Sequence, residues 1–248
     1  MKFETSIIIR TRNEERWIGR VLEKLFSQSY KNFQVVIVDS GSRDNTLSII
    51  SNFPTKLIEI NSEDFSYPHA LNIGAQNSDA EKYLCILSAH SLPTSDNWLE
   101  KAIYHLKHND EAMGVYGPIN AMPDGTFWDK FFTLSRFREL ALCFPKNYRI
   151  IKTGGMGVLG FTNAVIRKEL WEKYNFNEEY GAGGEDGDWA NHWFSRGFVT
   201  IKDRNFTVHH SHYLGFHQWL EQFRYWRVSE KPSQFNYLKF RANKTHKK

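Results

Sequence analysis

Short apolar runs alternate with helical patterns along the N-terminal part of the chain. Runs of consecutive apolar, mostly β-branched residues are typical of strands that are buried on both faces. The chain has four such runs: Ser6–Ile9, Gln34–Val38, Leu57–Ile60 and Lys82–Leu87. Between them, apolar residues recur at helical spacing in Trp17–Ser27, Thr46–Ile50 and Ala70–Gln76. This alternation predicts an α/β fold in which right-handed crossovers pair the strands in parallel, with helices on both faces of the sheet.

The pattern beyond Trp98 is less regular. Three further strands are predicted, at Met113–Ile119, Val199–Ile201 and Phe206–Val208. Gly181–Asp188 is rich in glycine and acidic residues. We predict that this segment is a loop leading into a helix from Trp189 to about Ser195, with Asp188 as the capping residue.

The last part of the chain combines a helical apolar stripe with positive charge. The stripe consists of Phe216, Trp219, Leu220, Phe223 and Trp226. From His217 onward, eight basic residues against two acidic ones give a net charge of +6, so the rest of the chain carries −2 of the total of +4. We predict a domain of residues 1–215 and a helical basic extension of residues 216–248. The extension packs on the domain in the first interpretation and contacts a membrane surface in the alternative. Nucleic-acid binding is not expected, because no recognition fold accompanies the basic residues.

Length and composition place the chain among ordinary globular proteins. Its 248 residues suit one α/β domain with a short extension, and its hydrophobic content of 41% permits a substantial core. Met1–Thr5 enters the first strand without the apolar core of a signal peptide, and no apolar run reaches the roughly 20 residues of a membrane span. The two cysteines, Cys85 and Cys143, do not indicate a disulfide framework. We therefore expect a cytoplasmic protein that can work at the inner face of the membrane.

Polar residues follow several of the predicted strands. Thr11–Glu14 follows the first strand, Asp39 the second and Ser88–His90 the fourth. The carboxyl ends of parallel strands meet at one edge of a sheet, and open α/β sheets bind their ligands there. The sequence therefore predicts a binding site at this edge.

Several segments, in their order along the chain, resemble family 2 glycosyltransferases. Ser6–Glu15 and Val38–Thr46 are similar to the N-terminal half of that family, and Ala70–Ala75 is similar to the segment before its Asp-x-Asp strand. Gly184–Trp189 resembles its C-terminal Glu-Asp motif, and Val208–His210 resembles its closing strand and histidine. No one segment is decisive, but the ordered set spans roughly residues 4–212.

The resemblance implies a GT-A fold, a Rossmann-like and mostly parallel sheet that binds a nucleotide diphosphate sugar, with UDP favoured as the nucleotide. The donor-binding residues that it implies are Thr11, Arg12, Glu14, Asp39, Asn72, Ser88 and Ala89. Asp39 can accept the imide N–H of uracil or a ribose hydroxyl; the alternative is a helix cap, a role that Asp44 fills better. Arg12 stands where relatives often have an aromatic residue. It either stacks on a base or pairs with phosphate, or it is a solvated loop arginine.

The Asp-x-Asp signature of the family is replaced by Ser88-Ala89-His90. In the family, the last carboxylate of the signature holds a divalent cation that bridges the two phosphates. Imidazole at His90 favours Mn over Mg, which prefers oxygen ligands. His210 is the second candidate ligand; at strand spacing His212 shares its face and His209 points away. Two alternatives stay open for His90: a metal-free donor to the diphosphate, or a structural residue in an inactive homologue.

Glu185 and Asp186 carry the chemistry that the resemblance implies. In an inverting transfer a base removes the proton of the acceptor hydroxyl, and we assign that role to Asp186, with Glu185 orienting a substrate. The alternative is an acidic helix N-terminus that is stabilised by the helix dipole. The acceptor is a saccharide or a lipid-linked molecule, and the aromatic segment Met122–Tyr148 is its candidate surface.

The predicted function is transfer of a sugar to a hydroxyl acceptor in the assembly of cell-surface polysaccharide or glycolipid. The alternative is a non-catalytic homologue that binds nucleotide sugars and has lost the metal motif. A nucleotidyltransferase is the weakest candidate, because Arg10–Glu15 contains no glycine for a phosphate loop.

Overall fold

The computed structural model describes residues 2–133, 147–155, 157–181 and 183–229, and for residues 226–229 the description covers the backbone alone. The strands are Phe3–Thr11 (β1), Phe33–Asp39 (β2), Lys56–Glu59 (β3), Ala80–Ser88 (β4), Leu92–Pro93 (β5), Ala112–Tyr116 (β6), Ile119–Asn120 (β7), Tyr148–Ile151 (β8), Asn163–Arg167 (β9), Val199–Asp203 (β10) and Val208–His209 (β11). The helices are Ile18–Phe26 (α1), Thr46–Ile50 (α2), Tyr67–Gln76 (α3), Trp98–His108 (α4), Phe127–Phe132 (α5), Lys168–Lys173 (α6), Glu185–Phe194 (α7) and Phe216–Ser229 (α8). Glu178–Tyr180 forms a short 3-10 helix.

The main sheet has the order β3-β2-β1-β4-β9-β6-β10-β8. β1, β2, β3 and β4 form a parallel block, and β6 pairs in parallel with β10. β9 runs antiparallel between β4 and β6, and β8 is an antiparallel edge strand. The sheet is therefore α/β and mostly parallel, as the sequence predicts.

Alternating side chains of β1 supply the two faces of the sheet with separate cores. Ile7 and Ile9 pack on one face with α1 and α4, whereas Ile8 packs on the other face with residues of α3, α6 and α7. This is the period of two that a strand imposes, here with apolar residues at every position because both faces are covered by helices. The close approach of α3 requires Gly74, since a Cβ there would collide with the side chain of Ile8.

A small second sheet brings the chain around residue 208 back to the edge of the main sheet. β11 lies between β5 and β7 in the order β5-β11-β7. Val208 pairs with Pro93 and with Ile119, so the chain after β11 runs beside the segment that follows β4. This pairing places His210 next to the residues after Ser88.

Helix α7 begins four residues earlier than the sequence pattern predicts. Its first residue is Glu185, and Gly184 precedes it with a φ of 98°, a left-handed conformation that favours glycine. Glu185 and Asp186 therefore lie in the first turn of a helix. The prediction that Asp188 caps a helix starting at Trp189 is wrong, and Asp188 instead accepts a hydrogen bond of 2.8 Å from the hydroxyl of Tyr174.

Helix α8 packs on the domain through Asp129, a buried carboxylate of α5. Asp129 accepts hydrogen bonds from the indole N–H of Trp219 at 2.9 Å and from the backbone N–H of Tyr213 at 3.0 Å. It also completes a capping box with Thr126 at the start of α5. One carboxylate thus ties α5, α8 and the segment that follows β11 together.

Parts of two predicted features lie outside the described residues. These are residues 134–146 of the predicted acceptor surface, which include Cys143, and residues 230–248 of the predicted basic extension. Along the described ranges, every helix is too short or too polar to cross a membrane.

Candidate active site

The ends of β1, β2 and β4 lie side by side and carry several of the predicted donor-binding residues. Thr11 is level with Asp39 across the β1–β2 pair, and Arg10 is level with Ser88 across the β1–β4 pair. The hydroxyl of Thr11 donates to Asp39 Oδ2 at 2.9 Å. The edge predicted from the sequence is therefore where these polar residues meet.

Asp39 is fully buried and organises the turn that follows β2. Its Oδ1 accepts hydrogen bonds from the backbone N–H groups of Gly41 at 3.0 Å and Ser42 at 2.8 Å, and its Oδ2 accepts one from the Ser42 hydroxyl. Asp44, and not Asp39, accepts the backbone N–H of Thr46 at the start of α2, at 3.0 Å. Asp39 therefore fixes the loop at the strand end.

Hydrogen bonds between residues about 30 positions apart hold the segment after β1 against the segment after β2. The backbone N–H of Glu14 donates to the hydroxyl of Thr46 at 2.7 Å, and the side chain of Asn13 accepts the backbone N–H of Arg43 at 2.8 Å. Asn13 has a φ of 54°, which asparagine tolerates better than most residues. The backbone of Glu14 is therefore fixed by these contacts, and its side-chain carboxylate is left for another partner.

Three imidazole side chains converge where the two sheets meet. One ligand atom from each of His90, His210 and His212 lies within 4.8 Å of the others. The rings of His90 and His210 stack at a centroid distance of 4.4 Å, and the Nε2 atoms of His210 and His212 are 3.2 Å apart. His209 faces away and contacts the carbonyl oxygen of Ala121 through Nδ1. Among the described residues this is a cluster with the composition of a nitrogen-rich metal site.

Polar partners orient two of the three imidazoles. Glu14 Oε1 lies 2.9 Å from His90 Nδ1, and Ser91 Oγ lies 3.0 Å from His210 Nδ1. Burial and the neighbouring imidazoles of His90 and His212 hold the pKa of His210 well below its usual value. His210 is therefore neutral at pH 7, which is the form that binds a metal.

Arg12 contributes a buried donor that has no protein partner among the described residues. Its Nη1 is shielded from solvent and makes no hydrogen bond there. A buried donor of this kind is costly unless a ligand or water satisfies it. Among ligands, a phosphate or carboxylate oxygen suits a guanidinium best.

Asn72 acts as a clamp between α3 and the segment before α7. Its Nδ2 donates to the carbonyl oxygen of Phe176 at 2.9 Å and to Glu178 Oε1 at 3.0 Å. Its Oδ1 accepts the indole N–H of Trp171 and the backbone N–H of Phe176. Both the nitrogen and the oxygen of the Asn72 amide are therefore engaged, and they position the chain that leads to Glu185.

Ser88 and Ala89 directly precede His90 of the histidine cluster, and a hydrogen bond joins Ser88 to the segment that contacts Asp186. The backbone N–H of Ser88 donates to Thr162 at 3.2 Å, and Ala89 is buried. The residue before Thr162 is Phe161, and its backbone N–H donates to Asp186 Oδ2 at 3.4 Å. Residues 161–162 therefore connect the Ser-Ala-His segment to the start of α7.

Arg10 links the end of β1 to the carboxylate pair. Its Nη1 lies 3.3 Å from Glu185 Oε1 and 3.2 Å from the carbonyl oxygen of Tyr67, and the guanidinium lies 4.6 Å from the centre of the Tyr67 ring. Burial and, to a smaller extent, the neighbouring Asp186 raise the pKa of Glu185 to about 7, although the charge of Arg10 opposes this shift. Burial likewise raises the pKa of Asp186, although backbone N–H groups of Gly187 and Phe161 favour its ionised form.

A cavity of about 260 Å³ opens beside Asp186. Glycines form much of its wall: Gly154, Gly155, Gly157, Gly184 and Gly187. Its polar lining is made by Tyr180, Asp186, Asp188 and Asn191. Asp186 therefore lines a partly open cavity of about the size of a small ligand.

Sequence reasoning missed three features of this site. His212 was placed on the face of His210 but not among the ligands, because only the pairing of β11 with β5 and β7 brings both to His90. Arg10 is separated from Glu185 by 175 residues, and no sequence pattern connects the two. The cavity beside Asp186 depends on the early start of α7.

Comparison with known proteins identifies the fold. A mannosyltransferase of Pyrobaculum calidifontis, solved with GDP-Man and Mn²⁺, matches 93% of this chain and 63% of its own with a TM-score of 0.68 and 20% identity. GalNAc-T7, solved with UDP, GalNAc and Mn²⁺, matches 85% of this chain and 44% of its own with a TM-score of 0.65 and 16% identity. These similarities establish the GT-A fold that the sequence predicts.

Sequence comparison identifies the family. A Methanococcus voltae protein named dolichyl N-acetyl-alpha-D-glucosaminyl phosphate 3-beta-D-2,3-diacetamido-2,3-dideoxy-beta-D-glucuronosyltransferase is 34% identical over 130 residues, 48% of this chain and 40% of that protein. An uncharacterized glycosyltransferase of Haemophilus influenzae is 30% identical over 117 residues, 45% of this chain and 36% of that protein. The chain thus spans about two fifths of the length of these relatives. The sequence profile of glycosyl transferase family 2 matches residues 6–174, and the chain belongs to this family.

Proposed function

We propose that this protein is an inverting glycosyltransferase that moves a sugar from a nucleotide diphosphate sugar to a hydroxyl acceptor. The observation that carries the proposal is the pair Glu185–Asp186, which reaches the same sheet edge as the histidine cluster through residues 161–162. A raised pKa makes Asp186 a stronger base than an exposed carboxylate would be. Family membership supports the same reaction class.

The reaction needs one base and one leaving group. Asp186 takes the proton of the acceptor hydroxyl while that oxygen bonds to the anomeric carbon of the donor sugar. The bond from that carbon to the diphosphate breaks, and the nucleoside diphosphate leaves with the electron pair, so that the anomeric configuration inverts. Glu185, which Arg10 holds at 3.3 Å, orients the sugar. Asp186 then returns its proton to solvent.

The histidine cluster fits a divalent transition metal. His90, His210 and His212 offer three nitrogen ligands, and the low pKa of His210 leaves its imidazole free to bind. Nitrogen ligands suit Mn and Zn better than Mg, so we propose Mn over Mg. When bound, the cation would neutralise charge on the leaving diphosphate. Both structural neighbours described above were solved with Mn²⁺, which supports a divalent cation here.

Residues of the sheet edge complete the proposed donor site. Arg12, whose Nη1 lacks a protein partner, is placed to bind a phosphate oxygen. We propose that the loops held by Thr11, Glu14 and Asp39 receive the nucleotide, with Ser88 and Ala89 beneath the diphosphate and Asn72 fixing the wall. UDP is the proposed nucleotide. The neighbours were solved with GDP-Man and with UDP, so a binding test has to include both UDP-sugars and GDP-sugars.

We propose a saccharide or lipid-linked acceptor, in the assembly of polysaccharide or glycolipid at the inner face of the cytoplasmic membrane. The name of the Methanococcus relative describes an acceptor linked to dolichyl phosphate, which supports a lipid-linked one. Exposed rings of α5, Phe127 and Phe131, lie in a continuous aromatic cluster with Phe216 of α8, and a basic segment follows α8 in the sequence. Such a surface suits an anionic membrane.

A binding panel followed by a transfer assay tests the proposal. UDP-sugars and GDP-sugars are added with and without Mn²⁺, and the unfolding temperature is measured. Stabilisation by one donor identifies the nucleotide and sugar together. The same donor is then incubated with wild type and with Asp186→Asn, and release of nucleoside diphosphate is followed. Absence of donor binding contradicts the proposal, whereas binding without turnover in wild type indicates the non-catalytic homologue.

A further inference from the structure

The three clustered histidines form a donor set that differs in kind from the carboxylates of an Asp-x-Asp signature. Among the described residues, the group of side chains that could hold a metal consists of the imidazoles of His90, His210 and His212 and includes no carboxylate. Glu14 contacts Nδ1 of His90 at 2.9 Å, which leaves Nε2 of that ring as the ligand atom. A cation held by this group is therefore bound to the protein through nitrogen alone.

The spacing of two of the nitrogens matches a small tetrahedral cation. Ser91 contacts Nδ1 of His210, and Nε2 of that ring lies 3.2 Å from Nε2 of His212. With Zn–N bonds of about 2.0–2.1 Å, two ligand nitrogens of a tetrahedral zinc lie roughly 3.3–3.4 Å apart. The separation of these two nitrogens is therefore close to the one that tetrahedral zinc requires.

The chemistry of the donor atoms decides which cation this group holds more tightly. Imidazole nitrogen suits zinc, whereas carboxylate and water oxygens suit manganese. A set of three imidazoles therefore selects Zn²⁺ over Mn²⁺ more strongly than a set that includes a carboxylate does. His210 is 6% exposed and lies inside the protein, whereas His212 is exposed. His212 is thus the ligand whose replacement changes the donor set with the least disturbance of the core.

The two cations also differ in how many positions they leave for a substrate. Zinc in protein sites is usually four-coordinate, so three histidines leave one position open. Manganese takes six ligands, so the same three histidines leave three positions. A diphosphate that a cation bridges contributes one oxygen from each phosphate and needs two of those positions. A four-coordinate zinc held by the three histidines therefore cannot accept both oxygens.

We propose that the histidine cluster selects Zn²⁺ over Mn²⁺, that His212 sets this selectivity, and that bound Zn²⁺ inhibits the protein because it leaves too few positions for a diphosphate. The selectivity follows from the donor set alone. The inhibition rests on the proposed function, because it requires a nucleotide diphosphate sugar to bind at the same cation. Zinc is then a regulator of this site, and manganese is the cation that supports the reaction.

Metal affinities test the selectivity. The full chain is freed of metal with a chelator, the chelator is removed, and ZnCl₂ or MnCl₂ is titrated in by isothermal calorimetry. Wild type should bind one Zn²⁺ more than about tenfold more tightly than Mn²⁺. Equal or tighter binding of Mn²⁺ overturns the proposal, as does the absence of Zn²⁺ binding.

Substitution of His212 tests which residue sets the preference. His212→Asp replaces one ligand nitrogen by a carboxylate oxygen, so the affinity for Zn²⁺ should fall by about tenfold or more while that for Mn²⁺ is kept or rises. His212→Ala removes the ligand and should weaken both cations. His209→Gln is the matched control, because His209 contacts the carbonyl oxygen of Ala121, and it should keep the wild-type ratio of the two affinities.

The variants also contain the result that contradicts the role of His212. If His212→Asp weakens both cations to the same extent as His212→Ala, the residue at this position does not set the selectivity and the proposal is wrong. Should the His212 variants not fold, His90→Asp carries the same test, since it also exchanges one nitrogen of the group for oxygen. It should narrow the ratio of the two affinities in the same direction.

Donor binding tests the inhibition. Affinities for UDP-sugars and GDP-sugars are measured with excess Mn²⁺ and again after one equivalent of Zn²⁺ is added. Zinc should reduce the donor affinity of wild type to its metal-free value, and should have less effect on His212→Asp. Donor binding that is as strong with Zn²⁺ as with Mn²⁺ overturns the inhibition. Failure of the proposed function appears separately, as wild type that binds no nucleotide sugar with either cation; the inhibition then falls with it, whereas the metal affinities still decide the selectivity.

Discussion

Glu14 and His90 are 76 residues apart in the sequence, and Glu14 Oε1 lies 2.9 Å from His90 Nδ1. The backbone of Glu14 is in turn fixed by the hydroxyl of Thr46 at the start of α2. A carboxylate on one imidazole nitrogen leaves the other nitrogen available and orients it. His90 stands where the family has a metal-binding carboxylate, and a different carboxylate, that of Glu14, contacts the imidazole of His90.

Glu14→Gln should weaken metal binding while leaving the histidines in place. Loss of a carboxylate partner behind a ligating histidine costs about 10–100-fold in metal affinity. Titration of Mn²⁺, followed by the unfolding temperature, measures this change. An affinity equal to that of wild type would show that Glu14 does not support the ligand.

His212→Ala should abolish stabilisation by Mn²⁺, because it removes one of the three clustered nitrogens. His209→Gln is the matched control: His209 lies nearby in sequence but bonds to the carbonyl oxygen of Ala121. Its variant should keep the response of wild type to Mn²⁺. Equal loss in both variants would point to a disturbed fold of β11 and not to a ligand. An unchanged response in His212→Ala would reduce the site to His90 and His210.

The activity should fall as the pH drops through about 7, the pKa of Glu185. The pKa of this carboxyl is raised by burial, so below that pH it takes up a proton and no longer pairs with Arg10 as an anion. Arg10 lowers the pKa, so Arg10→Gln should move this acidic limb to higher pH, and Arg10→Lys should move it less. The pH profile of kcat/KM measures the limb. A limb that does not move in Arg10→Gln excludes Glu185 as its origin.

The paired substitution Phe127→Ser and Phe131→Ser should reduce binding to vesicles. Phe127 and Phe131 are 69% and 49% exposed on α5. Cosedimentation with vesicles of phosphatidylglycerol and phosphatidylcholine is compared with vesicles of phosphatidylcholine alone. Wild type should prefer the anionic vesicles and detach at high salt, because screening weakens the attraction of the basic segment. Leu57→Ser, at an exposed apolar residue of β3, is the control. Wild type that ignores the vesicles contradicts membrane contact through this surface.

The sequence predicts the fold correctly for the strands that are buried on both faces of the sheet. The strands β1, β2 and β4 are apolar at nearly every position because helices cover both faces, so their runs stand out. Helix α7 was misplaced because a left-handed Gly184, which no periodicity reveals, starts it four residues early. His90 and His210 could be named from motif order, whereas His212 and Arg10 enter the site only through contacts between distant segments.

The pairing of β11 between β5 and β7 also determines when, during synthesis of the chain, the three-histidine cluster can form. His90 is made in the first half of the chain, and His210 and His212 come near the end of the described residues. A growing chain on the ribosome therefore carries the strand order of the N-terminal block and a single histidine of the cluster long before it carries the other two. The three-histidine cluster cannot be complete in the nascent protein until residue 212 has left the exit tunnel, so a cation held by all three histidines would be bound only after that point.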